Sequence, residues 1–470
     1  MLLLPVLSKQ IGITGSNSST DISFGFLKMK KGLTRIVMAG LVAVMLWLVS
    51  VVPATGQMQR FPKPEFESGY EQPDTVTPEP RSTAMEWLDV MLLVAVMGAG
   101  AWMVLRKRSR QGVLWLSIFT LLYFGFYRDG CICAVGSLQN VVLSFADPTY
   151  AISVTVLLFF LLPLIFSLFF GRIFCGSACP LGAIQDLVII KPLSMPAWLR
   201  HTLGIIPYIY LTLAILFAAT GTDFLICRYD PFAGIFRMDA PHLMAILGIA
   251  FLLMGLFIAR PYCRFLCPYG VLLKWTSRVS KWHMTITPSE CIRCKLCTTS
   301  CPFDAIDYPT DPKVIKRSRE GTKKFLLYAA LIPLWVAVGG FVGYQSHTWL
   351  SRANPEVYLA EYLITHPEVK NDPDNIDVQT FLSSGKTMEQ LVEEATLVRG
   401  KFRIGSTLAG AFIGLVIALT LLGQVIFRRN SDYVPNRGDC FSCGRCQDYC
   451  PVDRKMPDST PIVPTNTIQL

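Results

Sequence analysis

The chain has 470 residues, a formal net charge of +10, 52% hydrophobic residues and a mean hydropathy of +0.44. Only 16% of its residues are charged, against about a quarter in a soluble globular domain, so an ordinary soluble fold is excluded. The basic surplus lies beside apolar segments, which favours a membrane protein over a nucleic-acid-binding one, and we expect no nucleic-acid partner.

Several segments reach the roughly 20 mostly apolar residues that a helix needs to cross a bilayer. Lys and Arg concentrate in the cytoplasmic loops of membrane proteins. The basic clusters at 28–35, 106–110, 313–324 and 428–429 share one side if the N-terminus is cytoplasmic. We therefore predict an all-α polytopic protein of about eight spans in the bacterial inner membrane. The predicted spans are 36–52, 87–105, 113–127, 152–170, 203–220, 243–259, 325–342 and 404–426.

The amino-terminal region divides into three parts: a cytoplasmic N-terminus (1–35), a first span or signal anchor (36–54) and a periplasmic linker (55–85). The apolar stretch follows basic residues and precedes small ones, so it fits a cleaved signal peptide equally well. The linker is rich in Pro and Glu, which is typical of an extended segment. The orientation of the later spans is the same in either case.

The predicted membrane core (86–282) carries two copies of a C-x3-C-P-x-G motif, each after a span that ends on the cytoplasmic side. The proline can begin a short helix and the glycine allows a close turn. Buried cysteines often only fill space, but two matching motifs favour ligation. We predict an inner iron–sulfur cluster, because the motifs supply the four thiolates that a cluster needs: Cys175, Cys179, Cys263 and Cys267.

Two degenerate copies of this motif lie on the opposite side, so the four copies alternate as inverted repeats do. One contains Cys131 and Cys133, and the other contains Cys227 with Asp230 just before a proline. With Asp230 as a fourth ligand, these residues are a candidate outer cluster site. The alternative is a redox-active cysteine pair with a bystander.

Four arginines lie close to cysteines in the sequence: Arg172, Arg260, Arg264 and Arg293. Their charge would raise the potential of a nearby cluster. They fit equally well as anchors on the cytoplasmic side of the spans.

A bacterial two-cluster ferredoxin motif, C-x2-C-x2-C-x3-C-P, occurs in two halves separated by two spans. In such ferredoxins the fourth cysteine of each half binds the cluster of the other half. Zinc also binds C-x2-C pairs, but this spacing, repeated with Cys-Pro, favours two [4Fe–4S] clusters. One would be held by Cys291, Cys294, Cys297 and Cys450, and the other by Cys440, Cys443, Cys446 and Cys301.

The two spans between the halves return the chain to its starting side, so the halves can form one cytoplasmic α+β module. Within the periplasmic segment, 378–398 is predicted to be a helix with an apolar stripe. This part of the chain divides into ferredoxin half 1 (283–320), a span (325–343), a periplasmic segment (344–401), a span (404–427) and ferredoxin half 2 with the C-terminal tail (432–470).

The two C-x3-C-P motifs followed by a ferredoxin motif make the chain resemble the NosR/NapH family of membrane polyferredoxins. The resemblance covers roughly 88–302 and returns at 440–451. Proteins of the NosR type carry a periplasmic flavin-binding domain before the spans, and the linker here is too short for one. The resemblance therefore implies that any flavin is held by a partner.

These observations predict an electron-transfer component of an oxidoreductase system, and no catalytic residue is assigned. Electrons would pass across the membrane between a cytoplasmic donor or the quinone pool and a periplasmic redox protein, either a flavoprotein or a reductase. Two alternatives stay open: a redox-sensing regulator and a membrane reductase for metal or cofactor maturation.

Overall fold

The structure, a computed structural model, describes residues 82–130, 133–239, 241–286, 291–310, 319–366, 375–425 and 430–452. The predicted span at 36–52 lies outside the described residues, as does the linker as far as residue 81. Within the described ranges the chain is mostly helical, with a small antiparallel sheet of two strands.

Helices build the region of the predicted membrane core. Wider π-helical turns at Met103–Lys107 and Leu121–Tyr127 extend the first two helices, and another at Phe174–Ala178 precedes α5. In chain order the helices are α1 (Thr83–Trp102), α2 (Arg110–Thr120), α3 (Ala134–Ala146), α4 (Val154–Phe170), α5 (Pro180–Leu187), α6 (Ala197–Leu203), α7 (Ile206–Ala219), α8 (Leu225–Arg228), α9 (Ala233–Arg237), α10 (His242–Gly255), α11 (Pro261–Phe265) and α12 (Tyr269–Arg278).

The remaining elements belong to the two ferredoxin halves and the segment between them. In chain order they are α13 (Leu296–Ser300), β1 (Ile306–Asp307), α14 (Arg319–Ala330), α15 (Ile332–Ser351), α16 (Pro355–Thr365), α17 (Ile376–Ser383), α18 (Met388–Val425), β2 (Val434–Pro435) and α19 (Arg445–Asp448).

Four helical segments among the described residues are long and apolar enough to cross a membrane. They are Thr83–Lys107, Ala197–Ala219, Gly321–Ser351 and Met388–Val425. The predicted spans at 152–170 and 243–259 correspond to α4 and α10, which are apolar but have 17 and 14 residues. The predicted span at 113–127 corresponds to α2 and its π-helical extension.

The C-x3-C-P motifs form short helices that begin at the proline, as their sequences predict. Pro180 is the first residue of α5, where its missing amide costs no hydrogen bond. Pro268 directly precedes the first residue of α12. Gly182 allows a close approach, because a Cβ at that position would lie 2.8 Å from the carbonyl oxygen of Cys175.

The two long helices α15 and α18 pack through glycines spaced four residues apart. A Cβ at Gly410 would lie 2.2 Å from the carbonyl oxygen of Gly339, and one at Gly343 would lie 2.1 Å from that of Ser406. Small residues at this spacing let helix backbones approach closely inside a membrane. This contact joins the two spans that separate the ferredoxin halves.

The helix predicted at 378–398 is wrong as one continuous element. The structure has α17 up to Ser383, a turn at Gly385 with φ +72°, and α18 from Met388. Glycine is the residue that adopts this left-handed conformation without strain, so it ends the first helix. The predicted apolar stripe is partly right: Phe381 and Leu391 are buried in a small core between α16, α17 and α18.

Candidate metal centres

The two ferredoxin halves meet through backbone hydrogen bonds. Strand β1 pairs antiparallel with β2, so that Ile306 lies opposite Pro435. The amide of Asn436 donates to the carbonyl of Ala305 over 2.8 Å, and the amide of Thr310 donates to that of Asn430 over 2.9 Å. Segments that are distant in the sequence therefore form one folded unit.

One cavity in this unit is lined by four cysteines that the sequence assigns to a single cluster. These are Cys301 from the first half and Cys440, Cys443 and Cys446 from the second. Met284, Phe303 and Phe441 supply an apolar lining. The set of residues fits a four-thiolate cluster, because it combines three closely spaced thiols with one from the other half.

Three of the cysteines assigned to the other ferredoxin cluster lie in or against an apolar core that also contains Cys446 of the first set. Cys297 and Cys450 are each 7% exposed there, and Cys291 packs against the same core. Cys294 is exposed and interacts electrostatically with Cys297. Ligation by this set remains a prediction, although both halves contribute to the same core as it requires.

Burial suppresses ionisation of at least one thiol in each ferredoxin half. It raises the pKa of Cys440 to about 12 and that of Cys297 to about 11. A thiolate, not a thiol, binds iron. Ligation must therefore release the protons of these thiols, and the positive charge of the iron would offset the negative charge of the buried thiolates.

A second cavity is lined by all four cysteines of the C-x3-C-P motifs, which come from two separate hairpins. They are Cys175, Cys179, Cys263 and Cys267. Val135, at the beginning of α3, also lines this cavity. The donor set fits the predicted inner cluster, since four cysteine side chains surround one enclosed space.

The inner cavity lies directly against the ferredoxin unit. A Cβ at Gly176, between the two cysteines of the first hairpin, would lie 2.4 Å from the carbonyl oxygen of Phe441 and 3.0 Å from that of Ser442. Those two residues lie between Cys440 and Cys443. The cysteine loops of the two cavities therefore touch backbone to backbone.

Two buried arginines bridge the same contact. The guanidinium of Arg172 lies 4.1 Å from the ring centre of Phe441, donates to the carbonyl of Gly438 over 3.1 Å and is 3.8 Å from Cys175 Sγ. Arg260 is fully buried and donates to the carbonyl of Cys175. Simple anchoring at the membrane surface does not explain these two burials, since an anchor places its charge in water. By contrast, Arg293 donates a hydrogen bond to the carbonyl of Ser431 at an exposed position, where its charge is in water.

The charge of Arg260 is balanced by a carboxylate that the sequence analysis did not single out. Asp186 accepts two hydrogen bonds from Arg260, at 2.9 and 2.8 Å. Burial alone would raise the pKa of Asp186, but the guanidinium of Arg260 brings it below its usual value, so the pair is ionised at neutral pH. Arg110 lies 3.5 Å from the same carboxylate and donates to the carbonyl of Cys443 over 2.9 Å.

The residues of the predicted outer site are brought together only in part. Cys131 lies outside the described residues. A Cβ at Gly136 would lie 3.0 Å from Cys227 Sγ and 3.9 Å from Cys133 Sγ, so both sulfurs flank one glycine. Asp230 is 7% exposed and interacts electrostatically with Cys133.

Across the part of the chain that the structure describes, no three His, Cys, Asp or Glu side chains are close enough to share one metal ion. In a cluster each iron takes its own cysteine, so cluster ligands stand further apart than the ligands of a single zinc ion.

Three stretches of the chain match iron–sulfur binding domains of known proteins. A 4Fe-4S binding domain matches residues 152–205 and again 240–287, and a further 4Fe-4S binding domain matches 284–307. Each of the first two matches contains one C-x3-C-P motif. The chain therefore carries iron–sulfur binding domains of the [4Fe–4S] type.

Three curated relatives illustrate the similarity. Protein NirI of Paracoccus denitrificans is 30% identical over 43% of this chain and 32% of its own length. Regulatory protein NosR of Pseudomonas aeruginosa is 29% identical over 43% of this chain and 30% of its own length. Putative electron transport protein YccM of Escherichia coli is 27% identical over 30% of this chain and 43% of its own length.

These matches confirm the resemblance to membrane iron–sulfur proteins of the NosR type and support a role in iron–sulfur electron transfer. The chain spans about a third of the length of NirI and NosR. No solved structure matches it.

Proposed function

We propose that this chain conducts electrons through a bacterial inner membrane, between the ferredoxin unit on the cytoplasmic side and a redox protein in the periplasm. The contact of Gly176 with Phe441 and Ser442 carries this proposal, because it joins the inner cysteine cavity to the ferredoxin cavity. When bound, iron–sulfur clusters supply one-electron oxidation and reduction over a wide range of potentials.

The residues that would hold the clusters are those predicted from the sequence. Two [4Fe–4S] clusters would lie in the ferredoxin unit, each with three cysteines from one half and one from the other. A third would lie between the C-x3-C-P hairpins. The two 4Fe-4S domain matches that contain these hairpins support the third site.

The charges around the contact suit electron entry on this side. Arg172 and Arg260 place two positive charges between the cavities, and Asp186 neutralises one of them. A net positive charge next to a cysteine-bound cluster stabilises its reduced, more negative state. The apolar rings of Phe303 and Phe441, 4.7 Å apart between centres, exclude water from the contact.

Orientation rests on the basic loop after α1. Arg108 donates to the carbonyl of Thr285 over 3.1 Å, and Arg110 donates to that of Cys443. The loop and both ferredoxin halves thus lie at the same end of α1. Because basic loops favour the cytoplasm, the ferredoxin unit belongs there, and the donor is a cytoplasmic protein or the quinone pool. A periplasmic flavoprotein or reductase is the matching acceptor.

Electron passage can be tested in vesicles that contain the full chain, with ferricyanide trapped inside and dithionite outside. We expect the protein to bleach the trapped ferricyanide much faster than empty vesicles do. Cys175→Ser should abolish this activity while the ferredoxin EPR signals persist. Ser177→Ala is the matched control, because Ser177 lies in the same loop but is not a predicted cluster ligand. Equal rates in Cys175→Ser and wild type would overturn the proposal.

A regulatory role deserves the same assay because two relatives bear the name regulatory protein. A sensor changes its redox state and then stops, whereas a conductor turns over. Reduction limited to one or a few electrons per chain would favour the sensor, and continuous reduction would favour conduction.

A further inference from the structure

The outer cysteine segments reproduce a hydrogen bond of the inner site. Gln185 is fully buried, and its Oε1 accepts from the backbone amide that precedes Cys263, over 3.1 Å. Gln139 is also fully buried, and its Oε1 accepts from the backbone amide that precedes Cys227, over 2.9 Å. Each glutamine lies six residues after a cysteine and fixes the cysteine segment of another hairpin. Cys227 therefore has the same position relative to its glutamine at the outer site as Cys263 has at the inner site.

A second equivalence concerns the residue that would bind iron. In the inner hairpins, Cys179 and Cys267 each accept a hydrogen bond from the amide three residues later. Outside, Cys133 Sγ accepts from the amide three residues later over 3.3 Å. Asp230 accepts from the amides two and three residues later, and a proline follows it as one follows Cys267. The carboxylate of Asp230 thus has the position in the outer segment that the sulfur of Cys267 has in the inner hairpin.

Two buried donors, one on an outer segment and one beside Cys263 of the inner site, have no hydrogen-bond partner. Gln139 Nε2 and Tyr262 Oη are buried and make no hydrogen bond. Inside, the equivalent Nε2 of Gln185 lies 3.4 Å from Cys263 Sγ, to which it donates. Tyr262 interacts electrostatically with Asp230. A buried donor without an acceptor is unfavourable, so each of these two groups points to an acceptor that the protein itself does not supply.

We propose that Cys133, Cys227 and Asp230 bind an outer iron–sulfur cluster, with the carboxylate as a non-cysteine ligand. Cluster sulfides and ligand sulfurs would accept the hydrogen bonds of the two unpartnered donors. Replacement of cysteine by another residue type has a precedent in Rieske centres, where histidines take the place of two cysteines. Cys131 lies outside the described residues, and the assignment rests on the other three.

The outer site would receive electrons from the inner one, so this inference rests on the proposed function. Val135 lines the inner cavity, while the next residue, Gly136, contacts the outer sulfurs. The rings of Tyr262 and Phe232, next to Cys263 and close to Asp230 in the sequence, lie 5.3 Å apart edge to face. The beginning of α3 and one aromatic pair thus link the surroundings of the two sites.

The test is iron and acid-labile sulfide per chain in anaerobically purified full-length protein, with EPR of the reduced form. We expect Cys133→Ser and Asp230→Asn to lose about two or four irons and one EPR signal, while the ferredoxin signals persist. Asp230→Cys should keep the iron and shift the potential of that signal. Asp223→Asn, just before α8 in a partly exposed ion pair with Arg228, should change neither the iron content nor the EPR signals.

The outcomes separate this inference from the proposed function. Unchanged iron in the Cys133 and Asp230 variants, with iron lost in Cys175→Ser, would overturn the outer cluster and leave the inner site standing. Unchanged iron in all of them would overturn both. Retained ferredoxin signals in each variant show that the chain has folded, so a loss is attributable to the site.

Discussion

Replacing Gly176 by alanine tests the contact on which electron passage depends. The new Cβ would lie 2.4 Å from the carbonyl oxygen of Phe441, whereas ordinary contacts begin at 3.4 Å. The two cysteine loops must therefore separate by about 1 Å. Forced overpacking of this kind costs about 1–3 kcal/mol, which lowers the docking equilibrium of the ferredoxin unit roughly 5- to 150-fold.

The assay is rapid-mixing reduction by dithionite, followed by freeze-quenching and EPR. In Gly176→Ala we expect the ferredoxin signals to appear at the wild-type rate and the inner cluster signal to appear later. Gly98→Ala is the matched control, because a Cβ there meets nothing within 4 Å. If the inner cluster of Gly176→Ala were reduced as fast as that of Gly98→Ala, the contact would not be the route between the two sites.

Three further perturbations have defined outcomes. Arg260→Gln should lower the free energy of unfolding by about 3–5 kcal/mol, because it leaves the buried carboxylate of Asp186 without its main partner. Adding Asp186→Asn to this variant should restore part of the lost stability in thermal melts. Gly410→Ala should destabilise the pair of long helices by about 1–3 kcal/mol, whereas Gly423→Ala, on the same helix with nothing within 4 Å, should not. Cys301→Ser should remove the EPR signal of the cluster assigned to the second ferredoxin half and leave the other.

Each of these has a result that would contradict it. A double variant no more stable than Arg260→Gln would show that the charge pair is not the source of the loss. Equal melting of the two glycine variants would show that close helix packing does not stabilise the pair. Loss of the first-half signal alone in Cys301→Ser would reverse the assignment of the fourth ligands.

The presence of 4Fe-4S binding domains could be predicted from the sequence because each cysteine spacing is local. A C-x2-C-x2-C-x3-C-P stretch carries its own geometry, and the even number of spans between the two stretches allows the halves to meet. Cys301, Cys440, Cys443 and Cys446 line one cavity, which fits the predicted set, and their ligation of a cluster stays a prediction.

The residues that connect the sites could not be predicted in this way. Arg110 begins α2 and Asp186 lies on α5, and nothing in the short sequence around either indicates a partner. The sequence did contain a signal for the helix contact in the pairs Gly339/Gly343 and Gly410/Gly414, since small residues four apart in apolar helices mark close packing. The helix break at Gly385 was likewise visible as a glycine next to a serine pair.

The division of the ferredoxin unit has a consequence for biosynthesis. With the ligands proposed here, each of its clusters requires a cysteine from the first half and a cysteine from the second, and α14, α15 and α18 must be threaded into the bilayer between the two. A nascent chain that still lacks these helices holds neither complete ligand set. With these ligand sets, loading of the two ferredoxin clusters would wait until both halves are made and the helices between them are inserted, whereas the inner ligand set would be complete earlier.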